Sequence, residues 1–476
     1  MKRIVVYLLS VLAFCTVPAS RAKAQIKTLL ATGQLTSSRA GDYKDLSGLN
    51  YNLESGKAAN LLGGLGSGLA YVSGNTFLAL PDRGPNVEPY NPLIDNTVSY
   101  IDRFHTIEMG LQLNTSGFGL PFMLTPELKS TTLLHALLPL AYGDGKAYGV
   151  PSGAPPLNSF LRHYFTGRSD NFDARFGSAD PFDARFDPES IRVSNDGLFV
   201  YISDEYGPYV YEFIRATGER VRSFQLPAEL YVAQPEPVGT ACPATGPCSN
   251  EQTDNSSGRV PNKGMEGLAI TPDGKTLVGL LQAPTLQDVK ENASSKLLRG
   301  VVIDIRSGRT IKEFAYLLTT GSGVSDVVAI NDHEFLVDER DGKGLGDGSN
   351  AKIKQFFKIN LANAQDIQGM HESTAASFAV PKSTNPVLDM VAVLKANGTT
   401  VDKIPSKIEG TAFGPDVTYQ GIKMHTLWIA NDNDFDQDNS GPNVFYVFGF
   451  TDADLGDGSV LVPQGRTTLL QELFHF

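Results

Sequence analysis

Short apolar runs separated by turn residues cover most of the chain, and they recur in a fixed order. Each unit begins with a carboxylate and a small or apolar pair, and turn residues such as Asp196-Gly197 or Asp273-Gly274 follow about seven positions later. A second run rich in β-forming residues comes next, so each unit predicts a β-hairpin. The units led by a carboxylate start at Glu189, Glu266, Asp326 and Glu409, and Ser67-Gly68-Leu69-Ala70 has the same outline without the acid.

The spacing of these units indicates the fold class. Successive anchors from Glu189 to Glu409 are 77, 60 and 83 residues apart. A repeat of that length is typical of one four-stranded blade, and such blades close radially into a β-propeller. The chain length then predicts an all-β propeller of six or seven blades over residues 25–476. The alternative, a β-sandwich, would not repeat an acidic anchor at this interval.

Two segments depart from the repeat. Residues from about 100 to 186 are interpreted as an insertion after the first blade, with a helical stretch from Thr125 to Leu138. The insertion contains the motif FDARF twice, at 172–176 and 182–186, which we interpret as a slipped duplication in preference to a binding motif. Residues 231–262, which are polar and rich in Pro, Gly and Ser, predict a second exposed loop.

The net charge of the chain restricts the classes of molecule that it can bind. The formal net charge is −12, and the first 24 residues carry four basic side chains and no acid, so the remainder is more acidic still. Such a body repels nucleic acids and anionic membranes. We therefore expect a small-molecule substrate, no nucleic-acid partner, no membrane span and a monomer.

The N-terminus predicts export. Lys2 and Arg3 precede an apolar stretch from Ile4 to Cys15, and Ala22-Lys23-Ala24 forms a small-residue cleavage site before Gln25. The stretch is shorter than the roughly 20 residues that cross a bilayer. Residues 1–24 are therefore a predicted signal peptide of a periplasmic or extracellular protein, with a buried N-terminal strand as the alternative.

The remaining cysteines agree with an oxidising compartment. Cys242 and Cys248 lie in the segment CPATGPC, a Pro/Gly-rich loop that can bring two thiols together. The spacing predicts a local disulfide, with two free thiols as the alternative. A metal site is less favoured because no second Cys or His pair lies nearby.

Polar clusters end the apolar runs at one consistent place. They contain Asp82, Arg83, Asp204, Glu205 and Arg340, in the segments LPDRGPN, ISDEYGPY and LVDERDG. Loops at strand ends commonly build sites, so we expect these side chains on one exposed rim. The anchors Glu189, Glu266 and Glu409 are expected to point toward the central channel or its mouth, where they either act chemically or tie neighbouring blades together.

The motifs resemble a known family. FDPESI, ISDEYGPYVYEF, MEGLAITPDGKTL, IEGTAF and NDNDF, preceded by LPDRGPN, look like the phytase-like domain proteins, also called the "esterase-like activity of phytase" family. The resemblance covers roughly residues 40–455 and implies an exported β-propeller of phosphoesterase type. It departs from the family pattern at the first anchor, where Ser67 replaces an acid.

Several hydrolase motifs are absent from the sequence. There is no G-x-S-x-G elbow, and His371-Glu372 lacks the second His of a zinc protease. Any hydrolysis therefore depends on carboxylates, arginines and a metal. The favoured hypothesis is metal-assisted phosphoester hydrolysis, in which Arg83 and Arg340 neutralise the transferred group and Glu205 orients the nucleophile. The alternatives are a metal-dependent lactonase or carboxylesterase, and a propeller that binds a ligand or partner without catalysis.

A cation, most simply Ca²⁺, is expected at the segment NDNDFDQDN. Its alternating carboxylates can turn toward one centre if the segment forms a loop, as a hard cation with six to eight oxygen ligands requires. A solvated acidic loop is the alternative, and Asp204 with Glu205 is a second candidate site. The expected ligands in the segment are Asp432, Asp434, Asp436 and Asp438.

Overall fold

A computed structural model describes residues 25–36, 42–85, 97–144, 152–235 and 250–465. The predicted signal peptide and both Cys242 and Cys248 lie outside these residues, so the export signal and the disulfide stay predictions. Within the described residues, no helix has the length and apolar character needed to cross a bilayer.

The described strands form five antiparallel sheets of four strands each, with one two-stranded sheet beside them. The first strand of the chain is β1 (Thr28–Leu35). Blade 1 contains β2 (Gly68–Ser73), β3 (Thr76–Leu80), β4 (Arg103–Leu113) and β5 (Phe122–Leu133). The small sheet consists of β6 (His135–Ala136) and β7 (His163–Tyr164). Blade 2 contains β8 (Pro188–Val193), β9 (Phe199–Asp204), β10 (Val210–Ile214) and β11 (Arg220–Ser223).

The last three blades follow the same order. Blade 3 contains β12 (Met265–Ile270), β13 (Thr276–Leu281), β14 (Leu297–Asp304) and β15 (Arg309–Leu317). Blade 4 contains β16 (Gly323–Ala329), β17 (Glu334–Arg340), β18 (Lys354–Asn360) and β19 (Leu388–Asp389). Blade 5 contains β20 (Lys407–Tyr419), β21 (Ile422–Asp432) and β22 (Asn443–Phe450), and β1 is its outer strand.

Helices are short and lie between strands. A 3₁₀ turn spans Ala228–Leu230. The α-helices are α1 (Asn250–Asp254), α2 (Leu286–Glu291), α3 (Glu372–Ser377), α4 (Met390–Ala396), α5 (Gln437–Ser440) and α6 (Asp452–Leu455).

The predicted hairpin turns join the first two strands of blades 2 and 3. Gly197 and Gly274 have φ values of 73° and 72°, a left-handed conformation that favours glycine. Asp196 accepts a hydrogen bond from the N–H of Leu198, and Asp273 accepts one from the N–H of Lys275. These aspartates therefore stabilise the turns by the Asx geometry that the sequence predicts.

The inner strands β2, β8, β12, β16 and β20 form a closed ring around the axis. β1 pairs with β22, so the start of the described chain completes the blade formed by its end. The ring is tight at Gly410, where a Cβ atom would lie 2.8 Å from the backbone carbon of Gly68. Glycine at this position lets the backbones of blades 1 and 5 approach each other.

The prediction of a propeller is confirmed, but the expected six or seven blades are not: the described residues form five. The chain length overestimated the number because the connection from β5 to β8 is nearly as long as a blade, whereas its described residues form only the small sheet of β6 and β7. The insertion is also shorter than expected, since β4 and β5 belong to blade 1. It begins after Leu133 and ends before β8.

The helix predicted from Thr125 to Leu138 is wrong. β5 occupies most of that segment, with Leu124 and Leu128 buried against the core shared with blade 5. Pro126 is compatible with the first turn of a helix, and it is equally tolerated on β5, the outer strand of its sheet, because its missing N–H is not needed there.

Candidate functional site

Two sets of equivalent residues surround the end of the axis where the inner strands begin, which we call the mouth. Strand pairing aligns one residue on or just before each inner strand, and we call these residues the inner ring. It also aligns one residue at or just after the end of each second strand, and we call these the outer ring. The inner ring consists of Ser67, Glu189, Glu266, Ser325 and Glu409, and the outer ring of Asp82, Glu205, Gln282, Arg340 and Asp432.

The alignment shifts one expected position by one residue and separates the roles of two adjacent candidates. Asp326 follows the inner-ring position, which Ser325 occupies, and its carboxylate lies deeper in the channel against Arg192. Asp204 precedes the outer-ring position of Glu205. It accepts hydrogen bonds from the backbone N–H groups of Asp187, Tyr206 and Gly207 at 2.9–3.1 Å. Asp204 therefore organises the loop after β9.

A three-carboxylate cluster lies on the blade 2 side of the mouth. One oxygen from each of Asp187, Glu189 and Glu205 lies within 4.8 Å of the other two, and all three residues are buried. Among the residues that the structure describes, this is the group of His, Cys, Asp and Glu side chains that meets the spacing for a metal ion. The sequence predictions missed Asp187. Its position two residues before Glu189 was the available signal, since alternate residues share a face of an extended chain.

Arg83 crosses from blade 1 to this cluster. Its Nη1 lies 2.6 Å from Asp187 Oδ2 and 3.8 Å from Glu205 Oε2, and it also donates to Asn262. The backbone N–H of Arg83 donates to Asp187 Oδ1 at 3.1 Å. Gly167, in the insertion, packs so closely that a Cβ there would overlap the carbonyl of Arg83. The insertion therefore helps to hold Arg83 in place.

Arg83 and Glu205 are not the exposed rim residues that the sequence predicts. The side chain of Arg83 is 11% exposed and that of Glu205 is 3% exposed. Burial raises the pKa of Glu205 to about 7, with a further contribution from Asp187. Water solvates these buried charges poorly, so a bound cation stabilises the ionised carboxylates more here than it would on an exposed surface.

Glu189 and Glu266 extend the acidic side of the mouth. Burial raises the pKa of both well above the usual range, and neighbouring carboxylates raise it further. Gln282 donates to Glu266 Oε1, and Lys263 Nζ donates to Gln282 Oε1 at 3.1 Å. Glu266 Oε2 is buried without a hydrogen-bond partner. This free oxygen is a fourth potential ligand beside the cluster.

The blade 4 and 5 side of the mouth carries cations. Arg340 pairs with Glu409 and also donates from Nε to Ser325 Oγ. Burial raises the pKa of Glu409 to about 7, although Arg340 opposes the rise. Lys407 Nζ lies 2.9 Å from Asp432 Oδ2 and also contacts Asp434. Burial likewise raises the pKa of Asp82, on the neighbouring side of the outer ring, well above its usual range.

The structure does not bring together the four carboxylates expected to hold a cation at NDNDFDQDN. Asp432 and Asp434 pair with Lys407, so a side-chain ammonium already neutralises them. Asp436 caps α5 by accepting from the N–H of Asn439, and Asp438 is exposed. Of the residues expected at the site, the mouth gathers Asp82, Arg83, Glu189, Glu205, Glu266, Arg340, Glu409 and Asp432.

The donors of the three-carboxylate cluster suit a hard divalent cation. All are carboxylate oxygens, which Ca²⁺, Mg²⁺ and Mn²⁺ prefer, and the cluster contains no His or Cys. Arg83 forms ion pairs with Asp187 and Glu205, and the charges of Lys263 and Arg259 act on Glu205 from farther away. Glu266 keeps an oxygen without a partner. The residues therefore fit a cation on the blade 2 side, opposite Arg340 and Lys407.

Solved structures similar to this chain share low sequence identity with it. A gluconolactonase from Xanthomonas campestris is 11% identical, with 80% of this chain and 85% of that one covered and a TM-score of 0.30. A protein of unknown function from Dyadobacter fermentans is 8% identical, with 86% and 97% covered and a TM-score of 0.31.

A curated relative matches one part of the chain. An uncharacterized secreted protein of Arthroderma benhamiae is 38% identical over 107 residues, which is 21% of this chain. The match spans only 20% of that relative's length.

A family model matches residues 60–435, which contain every residue of both rings and Asp187. Its description is phytase-like, esterase-like activity of phytase. The match covers well over half of the chain and agrees with the motifs that indicated the family. The chain therefore belongs to the phytase-like family.

Proposed function

We propose that this protein is an exported, cation-dependent hydrolase that cleaves phosphoesters at the mouth. The observation that carries the proposal is the buried cluster of Asp187, Glu189 and Glu205 with Arg83 beside it. These three carboxylates would hold the cation, for which we propose Ca²⁺. A divalent cation supplies Lewis acidity toward a phosphoryl or carbonyl oxygen when it is bound.

Residues on the two sides of the mouth would hold the cluster in place, stabilise charge on the substrate and accept a proton. Arg83 holds Asp187 and carries a positive charge next to the cluster. Arg340 and Lys407, across the mouth, stabilise negative charge on the substrate. Glu409 has a pKa of about 7, so it can accept a proton from an attacking water near neutral pH.

A second candidate is hydrolysis of an uncharged carboxylic ester or lactone. Seven acidic and four basic side chains surround the mouth, and the formal net charge of the whole chain is −12. That charge repels polyanions such as phytate and is compatible with a neutral ester. The acids are Asp82, Asp187, Glu189, Glu205, Glu266, Glu409 and Asp432, and the bases are Arg83, Lys263, Arg340 and Lys407.

Three substrates distinguish these functions. Aryl phosphate, aryl acetate and phytate are offered to EDTA-treated protein with and without added Ca²⁺. Cation-dependent release from aryl phosphate, lost at least tenfold in D187N and kept in the exposed control D438N, supports the proposal. Release from aryl acetate alone supports the second candidate. No release from any of the three supports a propeller that only binds.

Export is the second part of the proposal. It rests on Lys2, Arg3 and the sequence Ala22-Lys23-Ala24, and the partial relative is a secreted protein. An intact mass that starts at Gln25 in the secreted product supports export with cleavage, whereas a secreted product that keeps Met1 contradicts it.

A further inference from the structure

The end of the axis opposite the mouth contains a partly open cavity of about 120 Å³. Inner-strand residues form its walls, and the segment from Leu461 to Gln464 crosses over it. The N–H of Val462 donates to the carbonyl of Ile330 at 2.8 Å, and Gln464 Nε2 donates to the carbonyl of Val193 at 2.8 Å. The crossing segment is therefore attached to both blade 4 and blade 2.

Most of the cavity lining is apolar. Leu69, Ala70, Ile270, Val328 and Ala412 contribute hydrocarbon surface from four of the five blades. Thr411 and Gln464 add polar groups, but most of the cavity surface offers no hydrogen-bond partner to water. The walls are too far apart to contact each other, so an apolar molecule in the cavity would add van der Waals contacts with them.

The charged groups of the lining are already paired. Arg192 uses both terminal nitrogens, one on the carboxylate of Asp326 and the other on the carbonyls of Leu69 and Ile191. Asp416 pairs with Lys423 at 2.8 Å and with His425 at 2.7 Å. A charged ligand would therefore lose its hydration without gaining an unpaired counter-charge.

We propose that this cavity is a second binding site, for a small uncharged apolar molecule about the size of one aromatic ring. Its volume is close to that of engineered apolar cavities that bind benzene, which are on the order of 150 Å³. The site is separate from the mouth, because the Arg192–Asp326 pair lies between them on the axis. It does not depend on the proposed hydrolase activity.

Toluene and benzoate test the site on the full chain. Toluene binds only the folded state, so it raises the melting temperature with concentration, by about 2 °C or more near saturation. Benzoate has the same ring and a charge, and it produces no comparable shift. A412L fills the cavity and abolishes the toluene shift, whereas A362L, at an exposed alanine outside the lining, keeps it.

The measurement can overturn the proposal in three ways. The first is a toluene titration that changes neither the melting temperature nor the ¹⁹F spectrum of a fluorobenzene reporter. The toluene shift can persist in A412L, or benzoate can bind as strongly as toluene. If A412L does not fold, A70L supplies the filled cavity from the blade 1 wall, and the same outcomes decide.

Discussion

Arg192 of blade 2 and Asp326 of blade 4 form an ion pair across the propeller axis. Arg192 Nη2 lies 2.7 and 2.8 Å from the two carboxylate oxygens of Asp326. Asp326 also accepts from the N–H of Thr411 in blade 5, and Arg192 donates to the carbonyl of Leu69 in blade 1. The pair therefore connects non-adjacent blades and separates the mouth from the opposite cavity.

Removing Asp326 should destabilise the protein strongly. D326A leaves the guanidinium of Arg192 buried without its counter-charge, and breaking a buried pair from one side costs about 3–5 kcal/mol of unfolding free energy. The matched control is D173A, which removes a more exposed pair with Arg175 and should lower the unfolding free energy much less. Urea denaturation measures both. Equal midpoints for the two variants would show that the axial pair does not stabilise the fold.

Arg83 should be needed for activity in a way that lysine cannot replace. R83K keeps the positive charge but loses the planar group that reaches Asp187 and Asn262 together. We expect kcat/KM to fall at least tenfold, about 1.4 kcal/mol of transition-state stabilisation. R215K, which changes an arginine between β10 and β11 that donates to the carbonyl of Gly197, should leave kcat/KM unchanged. Full activity of R83K would remove Arg83 from the proposed mechanism.

Stability should fall as Glu409 loses its proton. Its pKa is about 7 in the folded protein and its usual value is 4.5, so the folded state binds more protons than the unfolded state between these values. The unfolding free energy therefore decreases as pH rises from about 4.5 to 7. E409Q stays neutral, so its stability should decline less over that window, by about 3 kcal/mol. The exposed control E127Q should follow the wild type, and parallel curves for E409Q and wild type would contradict a raised pKa.

Much of the fold could be predicted from the sequence because each blade repeats its anchor and turn chemistry. Asp196-Gly197 and Asp273-Gly274 each indicate a turn from adjacent residues alone. Such turns can therefore be recognised whatever the length of the loops between blades. The blade number failed because the connections between blades vary in length.

The site was predicted to within one residue at the blade 4 anchor. The inner strand of blade 4 contains a β-bulge, and an extra residue shifts which side chain faces the axis. This shift exchanged Asp326 for Ser325. The ligands expected at NDNDFDQDN failed for another reason: Lys407 is distant in sequence, and only the folded structure brings it beside Asp432 and Asp434.

Calcium titration of EDTA-treated protein tests the central claim most directly. Isothermal titration calorimetry should give one Ca²⁺ site per chain, and binding should raise the melting temperature as ligand binding to the folded state requires. D187N and E189Q should each weaken that site at least tenfold, while D438N, at the exposed end of NDNDFDQDN, should bind as the wild type does. Unchanged affinity in D187N and E189Q, or no binding by the wild-type chain, would contradict a cation site at Asp187, Glu189 and Glu205.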